Sequence, residues 1–238
     1  MIRRMTAGTI RTMSASTPRV TVTQRERAHR LLTLLQAHYP DAHCELNFAS
    51  PRELLIATIL SAQATDVSVN KATPALFARF PTPHDYVRSS PAEIEPYIRT
   101  IGLFRGKAKS IHLSMSRICE DFGGEVPATM DQLLTLRGVA RKTANVVLGN
   151  CFGINEGFVV DTHVERLAKR LALAPRDANV LKVEQILMKL FPQELWCDIS
   201  HMLIFHGRRA CPARAKCCGS HAICMEFGVR CDLPRSGC

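Results

Sequence analysis

Apolar residues recur along this chain at helical spacing, in blocks separated by short polar turns. From Glu26 to His38 the apolar positions are Ala28, Leu31, Leu32, Leu34 and Leu35, the stripe of an amphipathic helix. Ser50-Pro51-Arg52-Glu53 is a capping box with proline at the first helical position. The helix it opens, Pro51 to Ser61, is almost wholly apolar and so belongs at the centre of a core. Polar residues return abruptly at Ser61-Ala62-Gln63-Ala64-Thr65-Asp66, where Asp66 is placed to cap a helix over Val67 to Phe80. Ser90-Pro91-Ala92-Glu93 repeats the cap design, and Ile101 to Ala108 is a turn leading into a helix through Cys119. Two further blocks, Met130 to Leu136 and Lys142 to Phe152, flank a tight turn. Helices are expected again over Thr162 to Leu173, with Thr162 and Glu165 as a capping box, then over Val180 to Leu190 and Glu194 to Phe205. The strand signals, Val20 to Thr23 and Phe158 to Val160, are too short to build a sheet, so the chain is expected to be all-α.

Composition adds class. A chain of 238 residues with 46% hydrophobic content suits one or two globular domains. No run of apolar residues is long enough to span a bilayer, and no membrane partner is expected. The formal net charge is +10, which points to a polyanion as partner. Met1 to Arg25 holds Arg3, Arg4, Arg11, Arg19 and Arg25, many Ser and Thr, and no acid. It lacks the apolar core of a secretory signal and reads as a disordered basic arm, with an organellar transit peptide as the other reading and Met5 or Met13 as other start sites. Six of the ten cysteines fall between Cys211 and Cys238, a cluster that suggests metal ligation rather than disulfides. Cys44, Cys119, Cys151 and Cys197 are scattered and read as small buried hydrophobes.

The candidate chemistry lies between Leu136 and Asp161. Gly138 can take the positive φ that the turn needs. The following helix then starts near Arg141 with its N–H groups outward, an anion site flanked by Arg137, Arg141 and Lys142. A lysine in a first helical turn has two readings: a solvated contact to phosphate, or a free amine acting as nucleophile. Asp161 likewise either helps the next helix to start or serves the same chemistry as Lys142.

Leu136-Arg137-Gly138-Val139-Ala140-Arg141-Lys142-Thr143-Ala144-Asn145-Val146-Val147-Leu148, followed by Val160-Asp161-Thr162-His163, closely resembles the helix-hairpin-helix and catalytic segment of the endonuclease III family of DNA glycosylases. The resemblance extends to Leu60 through Asp66, to Val69-Asn70-Lys71-Ala72 and to His201 through Arg208, and covers about seven-eighths of the chain. It implies two helical domains flanking a DNA-binding cleft: a six-helix barrel over 43–153 carrying the hairpin at 130–152, and an iron–sulfur domain made of 25–42 and 154–238, after a basic arm at 1–24. It implies Lys142 and Asp161 as catalytic residues. Gln63 and Leu103 would fill the gap left by an extruded base, and Arg137, Gly138, Ala140 and Arg141 would grip the DNA backbone. Ordinary alternatives stand beside these: helix capping for Gln63 and Asp66, core packing for Leu103, and structural roles for His201 and His206.

By the same resemblance the activity is a bifunctional glycosylase and AP lyase acting on oxidised pyrimidines and abasic sites in double-stranded damaged DNA. The protein is expected to act as a monomer, in the cytoplasm at the nucleoid of a bacterium or in the nucleus or mitochondrion of a eukaryote. A non-catalytic damage-binding relative is the competing reading, and the presence of both Lys142 and Asp161 argues against it. The family holds a [4Fe–4S] cluster on cysteines spaced C-x6-C-x2-C-x5-C. Here Cys211 and Cys218 keep the first spacing, but His221 and Phe227 stand at the third and fourth positions. The expected ligands are therefore Cys211, Cys218, Cys224 and Cys231, with Cys217 or His221 as substitutes and zinc as the alternative metal. The cluster would fix a basic loop containing Arg208, Arg209, Arg214 and Lys216 against phosphate. The hairpin departs from the family's Leu-Pro-Gly-Val-Gly at Arg137 and Ala140. A positive φ at Ala140 would cost on the order of 1 kcal/mol.

Overall fold

The computed structural model describes residues 22–214 and 221–228. Among them every regular element is helical: α1 (Val22–His38), α2 (Pro51–Ser61), α3 (Asp66–Arg79), α4 (Pro83–Arg88), α5 (Pro91–Ile98), α6 (Phe104–Phe122), α7 (Met130–Leu134), α8 (Arg141–Val147), α9 (Thr162–Arg170), α10 (Val180–Leu190), α11 (Trp196–Arg209) and α12 (Ala222–Phe227). Residues 1–21 of the expected arm lie outside the described residues, and Val22 to Gln24 belong to α1. The apolar run Phe158 to Val160 pairs with no strand and is simply buried coil.

Local chemistry sets the helix starts. The Ser50 hydroxyl accepts from the Glu53 N–H at 3.3 Å, and Ser90 and Glu93 form the reciprocal box, with the Ser90 N–H donating to Glu93 Oε2 at 2.7 Å. Thr82 and Asp85 make a third box that opens the short α4. Two expected caps move by one residue. Thr65 rather than Asp66 caps α3, accepting from Ser68 N–H at 3.2 Å. Asp161 rather than Thr162 caps α9. After α8 the chain continues through a single π-helical turn, Leu148–Phe152.

These helices gather around two hydrophobic cores. One holds Leu54, Ile56 and Leu60 of α2, Leu76 of α3, Ile111 and Met115 of α6, Leu133 of α7 and Val147 of α8. The other holds Leu31 and Leu35 of α1, Val164 and Leu167 of α9, Leu187 of α10, Leu203 of α11 and Phe227 of α12. The N-terminal α1 therefore packs on α10, α11 and α12 from the far end of the chain. Within this second core Gly207 lets α9 lie close to α11: a Cβ there would stand 3.0 Å from the His163 Cβ.

Candidate active site

The hairpin turn is shaped as its glycine suggests. Gly138 has φ +83°, and a Cβ on it would meet the Ser110 Cβ at 3.1 Å. Ser114, on the same face of α6, donates to the Arg137 carbonyl at 2.7 Å. Val139 is buried and anchors the turn, while Arg137, Gly138 and Ala140 are exposed. Ala140 has φ −100° and serves as the N-cap of α8, so the strain anticipated for a positive φ does not arise. Alanine offers no capping oxygen, and no side chain caps the first turn of α8 among the described residues.

Lys142 in the first turn of α8 and Asp161 at the N-cap of α9 line the same cleft, a cavity of about 760 Å³ also bordered by Gln63, Asp66, His163 and Arg208. Arg141 helps to bring them there. Its Nε donates to Glu184 Oε1 at 3.0 Å and its Nη2 to the Glu156 carbonyl at 3.3 Å, tying the segment before Asp161 to α8 and α10. Arg141 is thus turned toward protein groups. Gly157 makes room for this knot: a Cβ there would lie 2.4 Å from Asn145 Nδ2 and 2.6 Å from Glu184 Oε1. Asp161 Oδ1 accepts from the N–H groups of His163 and Val164, each at 2.8 Å. The helix-start role and the cleft position therefore coexist in one carboxylate. Burial lowers the pKa of His163 beside it.

Gln63 and Leu103 are exposed, and both have left-handed backbones, with φ +55° and +60°. Non-glycine residues adopt this region at a cost of roughly 1–2 kcal/mol. The Leu103 side chain is 67% exposed, which rules out the core-packing alternative. Lys107, in the first turn of α6, is buried. Its Nζ donates to the carbonyls of Leu60 at 2.8 Å and Ala62 at 2.6 Å, at the end of α2, and burial lowers its pKa.

At the C-terminal end, Cys211, Cys224 and His206 bring Sγ, Sγ and a ring nitrogen within 4.8 Å of one another. The His206 Nε2 is 3.2 Å from Cys224 Sγ, and the Tyr39 hydroxyl is 2.9 Å from its Nδ1. A hydrogen bond with Cys224 and one from Arg170 at 3.2 Å lower the Cys211 pKa to about 6. A thiol that ionises so readily, next to a second thiol, suits a thiolate-bound metal group. Cys217, Cys218 and Cys231 lie outside the described residues. His221 has both ring nitrogens occupied, Nε2 by the Tyr39 hydroxyl at 3.2 Å and Nδ1 by the Ile223 N–H at 3.3 Å. Phe227 is buried with the Arg27 guanidinium over its ring.

Sequence reasoning missed the Arg208 network. Rather than turning to phosphate, Arg208 donates from Nη1 to Glu45 and from Nη2 to Asp66 Oδ2, the latter at 2.7 Å. Its partners are 163 and 142 residues away in sequence, so no local pattern signals the pairing.

The model for the HhH-GPD superfamily of base excision DNA repair proteins matches residues 56–193. Endonuclease III of Synechocystis sp. is 50% identical over 196 residues, covering 82% of this chain and 89% of the relative. Endonuclease III of Escherichia coli is 47% identical over 205 residues, 85% of this chain and 96% of its own. Among solved structures, a non-covalent endonuclease III–DNA complex superposes with TM-score 0.81 at 43% identity, over 88% of this chain and 96% of that one. A trapped endonuclease III–DNA covalent intermediate superposes with TM-score 0.77 at 46% identity, over 80% and 89%. Likeness of this depth, running through the hairpin, the cleft and both cores, makes the chain a member of the endonuclease III family within the HhH-GPD superfamily.

Proposed function

We infer that this chain is a base excision repair enzyme, a DNA glycosylase with AP lyase activity that works as a monomer on oxidised pyrimidines in double-stranded DNA. The observation that carries the reading is the meeting of Lys142 and Asp161 in one cleft bordered by the strained, exposed Gln63 loop. Chemistry on a base requires taking it out of the stack. Gln63 and Leu103 enter the vacated space, and the N–H groups of Gly138 and Ala140 hold the backbone beside Arg137. The Lys142 amine attacks C1′, the glycosidic bond breaks, and its electron pair leaves with the base, which picks up a proton. Asp161 stabilises the developing cationic sugar and helps proton transfer. Opening of the sugar ring leaves a Schiff base on Lys142. Loss of a C2′ proton then expels the 3′ phosphate, and water frees the lysine.

The two cores support two units, 43–153 and 25–42 with 154–238. Cys211 and Cys224, together with Cys218 and Cys231, are the residues proposed to hold a [4Fe–4S] cluster. When bound, the cluster would supply a cross-link between Cys211 and α12, rather than a step of the reaction. No described helix is long and apolar enough to cross a membrane.

The test is borohydride trapping on a duplex containing thymine glycol, comparing the native chain with Lys142→Gln. A covalent adduct that disappears in the variant is expected. Base release without an adduct would make the enzyme monofunctional, and neither release nor adduct in DNA-binding protein would favour a damage-binding role.

A further inference from the structure

The cleft is continued inward by a narrower recess of about 100 Å³, walled by apolar atoms of Leu46, Val146, Val159 and Ile204. The residues that border both spaces are Glu45, Ser61, Asp66, Lys142, Asp161 and Arg208. They form the throat through which anything entering from the Lys142 side must pass. Ser61 is taken up locally, its hydroxyl donating to the Thr58 carbonyl at 2.9 Å. Besides the proposed reaction pair, this leaves a three-residue unit in which the Arg208 guanidinium is held between two carboxylates from different segments, Glu45 before α2 and Asp66 at the start of α3.

That unit has the chemistry of a base reader. A guanidinium presents several N–H donors in a rigid plane, and two carboxylates beside it supply acceptors. The edge of a pyrimidine such as thymine or uracil offers the complement: carbonyl, N–H, carbonyl. None of the six residues of the throat is aromatic; the rings that border the two spaces, His43, His163 and His201, lie outside it. Oxidation or reduction across C5–C6 removes the flatness on which stacking depends and leaves the carbonyl–N–H–carbonyl edge intact. A throat that hydrogen-bonds and does not stack is therefore suited to a puckered, saturated pyrimidine.

Building on the glycosylase and lyase reading, we propose that Arg208, oriented by Glu45 and Asp66, is the specificity-determining residue that recognises the carbonyl edge of the extruded pyrimidine at the throat of the cleft. The guanidinium is already fixed before substrate arrives, so little ordering remains to be done on binding. Removing it leaves a passage without the planar donor pair that selects what enters.

The reaction itself separates this role from a structural one, because an abasic site has no base to read. Single-turnover release of dihydrouracil from a duplex is compared with strand cleavage at a preformed abasic site in the same duplex, for the native chain, Arg208→Met and Arg208→Lys. Arg208→Met is expected to slow base release about a hundredfold, the scale of losing a directed donor. Its abasic cleavage is expected to stay within about threefold of native, with Arg208→Lys intermediate in release, because lysine keeps the charge and loses the planar fork. An equal fall in both reactions would overturn the proposal in favour of a structural brace, and Arg208→Lys, which keeps the charge between the two carboxylates, together with the urea midpoints of both variants, guards against mistaking misfolding for that result. Unchanged release in Arg208→Met would also overturn it. Failure of the native chain to cleave abasic DNA would instead refute the lyase reading on which the proposal rests.

Discussion

The Nζ of Lys107 donates to the Ala62 carbonyl at 2.6 Å, joining the start of α6 to the loop that presents Gln63. The same residue's backbone N–H donates to the Leu103 carbonyl at 3.1 Å. One residue thus bonds to the neighbour of exposed Gln63 through its cation and to exposed Leu103 through its backbone. Lys107→Met would leave the buried Leu60 carbonyl without its donor, at a cost of about 1–3 kcal/mol. A lower urea midpoint is expected, together with slower base extrusion, followed by 2-aminopurine fluorescence beside the lesion. Unaltered extrusion in a destabilised variant would show that the tie serves only the fold.

Two residues of the hairpin turn make different predictions. Gly138→Ala places a side chain at φ +83° and against Ser110, so it should cost at least about 1–2 kcal/mol and weaken DNA binding. Ala140→Gly, which restores the family's residue, acts at φ −100° where glycine has no advantage. It should leave affinity for an abasic-analogue duplex unchanged within about twofold, since the change is confined to roughly 0.5–1 kcal/mol of backbone entropy. Fluorescence anisotropy on both variants checks the pair, and a clear gain in affinity for Ala140→Gly would count against the local geometry.

Most of the helical plan was legible because it is local. Pro51–Ser61 and Val180–Leu190 have the ends that their caps and apolar runs imply, and the Gly138 turn has the dihedral that its residue allows. Helix ends were less legible where neighbouring residues compete as caps, as at Thr65 against Asp66 and Asp161 against Thr162. Arg141 sits where a phosphate contact would be expected and spends its donors on Glu184 and Glu156. Lys107 and Arg208 could not be read at all from spacing, since a charged residue declares its partner only when distant segments meet. Likewise, His206 looked structural, and only the fold brings it against Cys224.

His201 offers a test by pH. Its Nε2 is 2.9 Å from Asn150 Oδ1, and burial lowers its pKa from the usual 6.5. Below pH 6.5 the unfolded chain takes up a proton that the folded chain refuses. Stability is therefore full above that value and falls as pH drops toward the folded pKa, by at most about 1.4 kcal/mol per pH unit. Urea midpoints at pH 7.5 and 5.5 should diverge less in His201→Gln than in the native chain. Equal divergence would assign the slope to other groups.

Cys211 carries the prediction for the metal group. Cys211→Ser removes the readily ionised thiol beside Arg170 and Cys224. Bound iron and acid-labile sulfide should drop below half of the native content, with loss of visible absorbance. Full retention of iron would exclude Cys211 as a ligand, and stoichiometric zinc without sulfide in the native protein would replace the cluster by a mononuclear site.

The packing of α1 against α10, α11 and α12 bears on how the protein is made. The core around α2 to α8 is built from one continuous stretch and can close as soon as it leaves the ribosome. The other core cannot, because its first helix must wait for helices that are synthesised last. Asp161 belongs to this late half and Lys142 to the early one. An unfinished chain would therefore carry a folded hairpin while the proposed pair, Lys142 and Asp161, is not yet held together.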